Sequence, residues 1–263
     1  MWEVTAMATP VVRSLDKALT LLAALGDGAC SLPGLSRDSG LPLATVHRLV
    51  ATLEARGFVA RAGRGALVAG PTLLGLARRV DKRAHLAALA RPVVAALARR
   101  AGALAQLGVL EGDMVTYLIK EGRAREALFS REGMQLEAYC SALGKVLIAG
   151  QSAAERTRYL AGGPFVALTP RTIVDPAALA TEFECTAARG YATDEGEIDA
   201  GLACLAVPVR NGEGRTVAAL SLSSRGTIRH SQEARLALLR EAARALSARF
   251  ETHGLHDGAQ LAQ

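Results

Sequence analysis

SLPGLSRDSGLPLATVHRLVATLEARG, residues 31–57, reads as two short helices around a tight turn at Gly40. Ser31 can cap the first helix, with Leu32 and Leu35 turned inward. Gly40 supplies a turn position that needs a positive φ. Pro42 suits the first turn of the second helix, and Gly57 stands where a helix-ending glycine belongs. On the second helix Val46, Leu49, Val50 and Leu53 follow the i, i+3, i+4, i+7 spacing of a buried stripe. The opposite side carries Thr45, His47 and Arg48, short or cationic donors suited to phosphates and base edges. This is the pattern of a helix-turn-helix. An ordinary amphipathic helix pair gives the same apolar positions, so the flanking sequence has to decide.

Upstream, residues 11–25 form a helical pattern with Leu15, Ala18, Leu19 and Leu22 on one stripe, ended by Gly26-Asp27-Gly28. Downstream, residues 58–61 and 66–69 read as two short strands around Gly63-Arg64-Gly65, a hairpin wing. Three helices and a wing make a winged helix-turn-helix DNA-binding domain over residues 8–70. On that reading Leu43, Ala44, Thr45, His47 and Arg48 face the major groove or its rim. Arg48 could pair with guanine through both its nitrogens or grip a phosphate. Arg61 and Arg64 on the wing would touch phosphates or the minor groove. Arg13 and Ser14, at the start of the first helix, could hold a backbone phosphate. Each of these could equally be a solvated polar residue, Arg61 more readily than Arg48.

Charge agrees with a polyanionic partner for this end of the chain. Of the 263 residues, half are hydrophobic and 21% charged, with a formal net charge of +6. Residues 1–83 hold 11 Lys and Arg against 6 Asp and Glu, whereas residues 84–263 hold 20 against 19. The excess lies almost wholly with the helix-turn-helix, as double-stranded DNA requires. The N-terminus MWEVTAMATP lacks a basic region followed by an apolar run, so no signal peptide is expected, and no apolar stretch approaches the ~20 residues needed to span a bilayer. A cytoplasmic location and no membrane partner are expected. Cys30, Cys140, Cys185 and Cys204 are too widely spaced for a zinc site. No metal-ligand cluster, phosphate-binding loop or paired-carboxylate motif is present, so neither cofactor nor metal is expected.

From Pro71 a helical run, TLLGLARRVDKR, gives a linker helix over 71–84. Beyond it the character changes. Residues 86–100 are helical; 103–110, 114–120 and 125–130 are strand candidates, with a turn at Glu111-Gly112-Asp113. Helices follow at 141–150, 152–160 and 176–188. Residues 204–210 and 216–223 are strands joined by Asn211-Gly212-Glu213-Gly214, a strong hairpin signal. An amphipathic helix runs over 231–250, and 253–263 is a flexible tail. This is an α+β domain, an antiparallel sheet flanked by helices, over residues 85–252.

That domain offers a cradle for a carboxylate. Ala142, Leu143 and Gly144 open a helix, whose first N–H groups attract anions. Ser221 and Ser223 alternate on one strand and so share a face, as do Leu202 and Cys204 on another. Asp194 lies in an acidic loop, TDEGE. A small acid could have its carboxylate held by helix N–H groups and serine hydroxyls, its polar end by Asp194, and its body against Leu128, Leu136 and Leu202. The serines could instead be sheet hydroxyls bonded locally, Cys204 a small buried hydrophobe, and the acidic loop simply solvated. Arg123, Arg125 and Arg131 form a solvated edge from which Arg125 could still reach a carboxylate.

VVRSLDKALTLLAAL, GLPLATVHRLVATLEARGFVAR, SALGKVLIAG, RGYATDEGEIDAGLACLAVPV and VAALSLSS together resemble the IclR family of bacterial transcription regulators, in order and spacing, over residues 11–250. The resemblance implies a winged helix, a linker helix and a GAF-like effector-binding domain, working as dimers or tetramers on pseudo-palindromic operators. Matched by motif position, the family's ligand contacts fall on Ala142, Leu143, Asp194, Leu202, Cys204, Ser221 and Ser223, with Leu128 and Leu136 in less distinctive segments. EAYCSALGKVLIA is mildly similar to members that sense aromatic acids. Two positions depart from the family. The wing stretch Gly65-Ala66-Leu67-Val68-Ala69-Gly70 lacks an aromatic anchor, and Glu137 replaces a usual proline. The expected function is DNA-binding transcription regulation modulated by a small carboxylic or aromatic acid. The alternatives are a cysteine-dependent enzyme using Cys204 or Cys140, which would want a histidine base, and a dimeric scaffold without DNA binding. His85, His230, His253 and His256 sit in helix ends or the tail, which disfavours the enzyme.

Overall fold

A computed structural model describes residues 11–26, 31–122, 129–225 and 231–252. The expected strand at 125–130 falls largely outside these residues, as do Leu128, Arg123, Arg125 and the tail 253–263. The chain divides into two compact units between Asp81 and Lys82.

In the first unit, α1 (Arg13–Gly26), α2 (Leu32–Ser39) and α3 (Leu43–Ala55) are followed by a two-stranded antiparallel wing and by α4 (Pro71–Arg79). The wing consists of β1 (Val59–Ala62), a 3-10 turn (Gly63–Gly65) and β2 (Ala66–Ala69). Ser31 caps α2, its side chain accepting the Gly34 N–H at 3.2 Å. Gly40 takes φ +67° between α2 and α3, and the Ser36 hydroxyl donates to Leu41 O at 2.6 Å across the same turn. Gly57, at φ +71°, turns the chain out of α3 into the wing. Leu21, Leu35, Val46, Val50, Val59 and Leu67 form the buried core, so α1, α2, α3 and both strands contribute.

The stripe expected on α1 is corrected. Leu21 is the fully buried residue, with Leu22 and Leu25 packed on the core, while Leu15 and Leu19 are 57% and 55% exposed. The helix is apolar on more than one side, so helical spacing alone selects no single face. Residues 71–84 are likewise not one helix. Val80 takes an extended conformation after α4, and residues 82–84 open the first helix of the second unit.

The second unit begins with α5 (Lys82–Ala101), β3 (Leu104–Glu111), β4 (Met114–Glu121) and β5 (Gln135–Glu137). It continues with α6 (Ala142–Ala149), α7 (Ala153–Ala161), α8 (Pro176–Arg189), β6 (Ala192–Glu195), β7 (Leu202–Arg210), β8 (Thr216–Arg225) and α9 (Gln232–Thr252). The strands make one antiparallel sheet in the order β5-β4-β3-β8-β7-β6. Helices cover both faces. Leu86, Val94, Leu97 and Leu239, Leu246, Phe250 from α5 and α9 pack on Leu107, Leu205, Leu220 and Leu222. Leu143, Val146 and Leu147 from α6, with Leu179 and Phe183 from α8, pack on Val115, Tyr117, Ala206 and Ala219 of the other face. The turn Asn211–Gly214 is closed by Asn211, whose Oδ1 accepts the N–H groups of Glu213 and Arg215.

Candidate nucleic-acid interface and ligand pocket

The core forces one side of α3 inward and leaves its other side to solvent. With Val46 and Val50 buried, Leu43, Ala44, His47 and Arg48 are exposed and Thr45 is half-buried. Arg13 and Ser14, exposed, are the first residues of α1. Arg64 sits in the 3-10 turn of the wing. Arg61 is committed within the protein, its Nε donating to both carboxylate oxygens of Glu54 on α3, at 3.1 and 3.2 Å. The pair removes a bare carboxylate from α3 and ties the wing to that helix.

In the second unit a pocket, partly open to solvent, lies on the α6 face of the sheet. Ser141 caps α6 by accepting the Gly144 N–H at 3.1 Å. Ala142 and Leu143 line the pocket just beyond, and the N–H groups of a helix's first turn have no partner inside the helix. Gly144 is the residue that lets α6 sit so close: a Cβ there would lie 2.1 Å from Ala138 O. Ser221 and Ser223 of β8 line the floor, beside Leu202 and Cys204 of β7. Leu136 lines another part of the pocket.

Asp194 is not in a solvated loop. It lies on edge strand β6 opposite Cys204 and is fully buried, because β6 pairs with β7 under the α6 helix. Its Oδ1 accepts the Glu197 N–H at 2.7 Å. Its Oδ2 and the Ser221 Oγ are buried and find no hydrogen-bond partner among the described residues. Burial raises the Asp194 carboxyl above its usual range, opposed by the Glu197 N–H and by Lys145. Lys145 of α6 is itself buried. Its Nζ bonds Glu197 Oε1 and Thr193 O and stands 3.8 Å from Glu182. The lysine thus holds the turn after β6 in place and keeps a positive charge behind the pocket.

The Ser223 hydroxyl is 3.0 Å from Gln106 Oε1 and 3.2 Å from Cys204 Sγ. Burial, then the Asp194 charge, pushes the Cys204 thiol up to about 12. The Cys140 thiol is pushed up to about 12 by burial as well. Both are therefore held as thiols at neutral pH, in contrast to the lowered pKa of nucleophilic cysteines. Among the described residues no group of three or more His, Cys, Asp or Glu could hold a metal ion.

Residues 78–248 match the family described as bacterial transcriptional regulator IclR C-terminal, and residues 14–63 match the IclR helix-turn-helix domain. The chain belongs to the IclR family of bacterial transcriptional regulators. It is 34% identical to the HTH-type transcriptional regulator XynR of Escherichia coli over 82% of this chain and 87% of the relative. With the HTH-type transcriptional regulator KdgR of the same organism it shares 31% identity, over 94% of each chain. Among solved structures, an IclR homolog complexed with 4-hydroxybenzoate from Microbacterium hydrocarbonoxydans aligns with a TM-score of 0.60 at 27% identity, covering 88% of this chain and 98% of that one. This IclR-family chain is accordingly a DNA-binding transcription regulator with a C-terminal effector domain.

Of the residues the sequence singles out for the effector site, Leu136, Ala142, Leu143, Asp194, Leu202, Cys204, Ser221 and Ser223 come together around one pocket, while Leu128 lies outside the described residues. Gln106, Tyr117, Phe129, Ser130, Ser141 and Ile198 complete the lining and were not anticipated. Gln106 carried a signal: a lone amide within the apolar strand LAQLGVLE. Its place became readable only through the non-local pairing of β3 with β8, which sets Gln106 opposite Ser221.

Proposed function

We propose that this regulator reads an operator with the exposed side of α3 and changes its DNA binding or output when a small carboxylic or aromatic acid enters the pocket of the second unit. The observation that carries the effector half is the pair of buried, unpartnered oxygens, Asp194 Oδ2 and Ser221 Oγ, beside the opening turn of α6. Buried polar atoms left without partners are costly. An acid whose carboxylate takes the α6 N–H groups and a serine hydroxyl, and whose hydroxyl donates to Asp194, would satisfy the set. Leu136 and Leu202 would pack on its body. The relative solved with 4-hydroxybenzoate makes that acid the first to test.

On the DNA side, Thr45, His47 and Arg48 are the readers, Leu43 and Ala44 pack at the groove rim, and Arg13, Ser14 and Arg64 take phosphates. Arg61 is the weakest reader, since it is already paired with Glu54. The operator is pseudo-palindromic and is bound by a homodimer or a tetramer. The exposed Val11 and Val12, just before α1, and Leu15 and Leu19 on it support self-association. Catalysis is not part of the function: the two candidate nucleophiles, Cys140 and Cys204, are both held protonated. Among the described residues no helix is long and apolar enough to cross a membrane. A cytoplasmic location goes with a DNA partner.

Anisotropy titration of its own promoter DNA, with and without small acids, tests the reading. Tight binding that weakens steeply with salt and shifts with an acid is expected. Binding that is weak, insensitive to salt and indifferent to every acid would sink it.

A further inference from the structure

Gln106 uses both ends of its amide. Buried in the middle of β3, it accepts from the Ser223 hydroxyl through Oε1 and donates from Nε2 to Ser130 Oγ, each at 3.0 Å. Ser223 belongs to the pocket floor. Ser130 belongs to residues 129–132, a strap without helix or strand that precedes β5 and supplies Phe129 and Ser130 to the pocket wall. The strap's outer side is pinned elsewhere. Lys120 Nζ donates to Ser130 O, and Glu132 accepts from the Lys120 N–H at 2.9 Å and from the Arg91 guanidinium of α5 at 2.9 and 3.0 Å. Gln106 therefore joins strap to floor through its side chain.

The Ser223 hydroxyl has a single proton. Of its two acceptors, Gln106 Oε1 at 3.0 Å and Cys204 Sγ at 3.2 Å, the amide oxygen is the stronger, and the hydroxyl spends its proton there. An acid that takes the proton would strand Gln106 Oε1 as a buried acceptor without a donor. An amide has a remedy that no other side chain of this shape has. Turned end for end, its Nε2 donates to Ser223 Oγ and its Oε1 accepts from the Ser130 hydroxyl.

We propose that Gln106 is a positioning residue of the pocket: it latches the strap 129–132 to the floor and, by exchanging its two ends, frees the Ser223 hydroxyl to donate to a bound acid. The latch stands on the ligand-free geometry alone; the exchange of ends rests on the effector reading proposed above. The strap also carries Glu132, so whatever fixes Ser130 also fixes the carboxylate that meets Arg91. The strap is thereby linked to α5, the element that follows the DNA-binding unit in the chain.

Hydrogen exchange of the full chain, read by mass spectrometry, tests the latch without any ligand. In Gln106→Met, which keeps the volume, and in Ser130→Ala, peptides over 129–132 should exchange about tenfold faster, the worth of one buried hydrogen bond. The double variant should be no faster than either single, because both cut the same link. Peptides from β7 and β8 should keep parental exchange, which shows that the variants fold. Strap exchange within twofold of the parent in both single variants, or additive effects in the double, would overturn the latch. A titration with 4-hydroxybenzoate tests the exchange of ends: the parent should bind about tenfold tighter than Gln106→Met. Equal affinities would overturn that part. A latch that holds in a parent that takes up no acid would instead refute the effector reading and leave the strap assignment standing.

Discussion

Lys145 shows how one residue can look like a surface charge in sequence and act as a structural post in the fold. It is 1% exposed and meets Glu197, which is itself buried. Removing one partner of such a pair strands the other. Lys145→Met is expected to cost about 3–5 kcal/mol in denaturant unfolding. Lys145→Met combined with Glu197→Gln should recover most of the loss, since the Glu197 charge is then not stranded; a double variant as unstable as the single would refute the pairing. Asp194 and Glu197 make a second point. Burial raises both carboxyls in the fold. A group raised on folding holds its proton more tightly in the folded chain than in the unfolded one. Stability therefore falls as pH rises from the ordinary carboxylate range near ~4 up through the raised folded values, and the whole cost is present above them. Asp194→Asn removes one such contribution. Its melting temperature should exceed the parent's by a few degrees at about pH 8, with the gap closing toward about pH 4. A gap that ignored pH would assign Asp194 no buried ionisation.

On the proposed reading recognition turns on helix α3, which is legible in the sequence because its pattern is local. Val46 and Val50 declare the buried side, Gly40 and Gly57 the ends, and the exposed side follows by subtraction. Local hairpins were legible for the same reason: Asn211–Gly214 carries its own turn chemistry. What depended on distant pairing was not. Strand β6 was hidden in an acidic motif because its burial comes from β7 and α6, and Gln106 was passed over because only β8, more than a hundred residues away, makes it part of a pocket. On the first helix Leu15 and Leu19 are as apolar as Leu21, and only the packed core chooses between them. Two substitutions test α3 as a reading element. Arg48→Ala should weaken operator binding by about 1–3 kcal/mol. If the loss is confined to particular bases, Arg48 reads sequence; if it is uniform and the salt slope falls by about one, it holds a phosphate. Unchanged affinity would remove Arg48 from the interface. Glu54→Gln should act in the opposite direction, because it releases Arg61 from its ion pair and removes a negative charge from the helix. Tighter, more salt-sensitive binding is the expected result.

The division between Asp81 and Lys82 gives the molecule two cores of unequal size. Among the described residues the first rests on six buried apolar side chains, whereas the second packs helices on both faces of a six-stranded sheet. Small cores bury a smaller share of their surface and are less stable. Calorimetry should therefore resolve two transitions, the lower belonging to the DNA-binding unit, and a single unfolding free energy for the chain would not be defined. Ligands then act as labels. Operator DNA binds the native first unit and should raise the lower transition. An effector acid at a hundred times its Kd should stabilise the second unit by about 2.7 kcal/mol, which for a domain of this size is roughly 5–10 °C. The two additions become informative when combined. In the absence of DNA the acid has nothing to contact in the first unit and should leave the lower transition in place. With DNA bound, an acid that alters operator affinity must also alter the stabilisation that DNA gives, by the coupling free energy of about 1–3 kcal/mol. The lower transition of the DNA complex should therefore move when the acid is added, downward if the acid releases DNA and upward if it tightens the complex. An acid that raises the upper transition yet leaves the lower one fixed in the DNA complex is bound without being an effector.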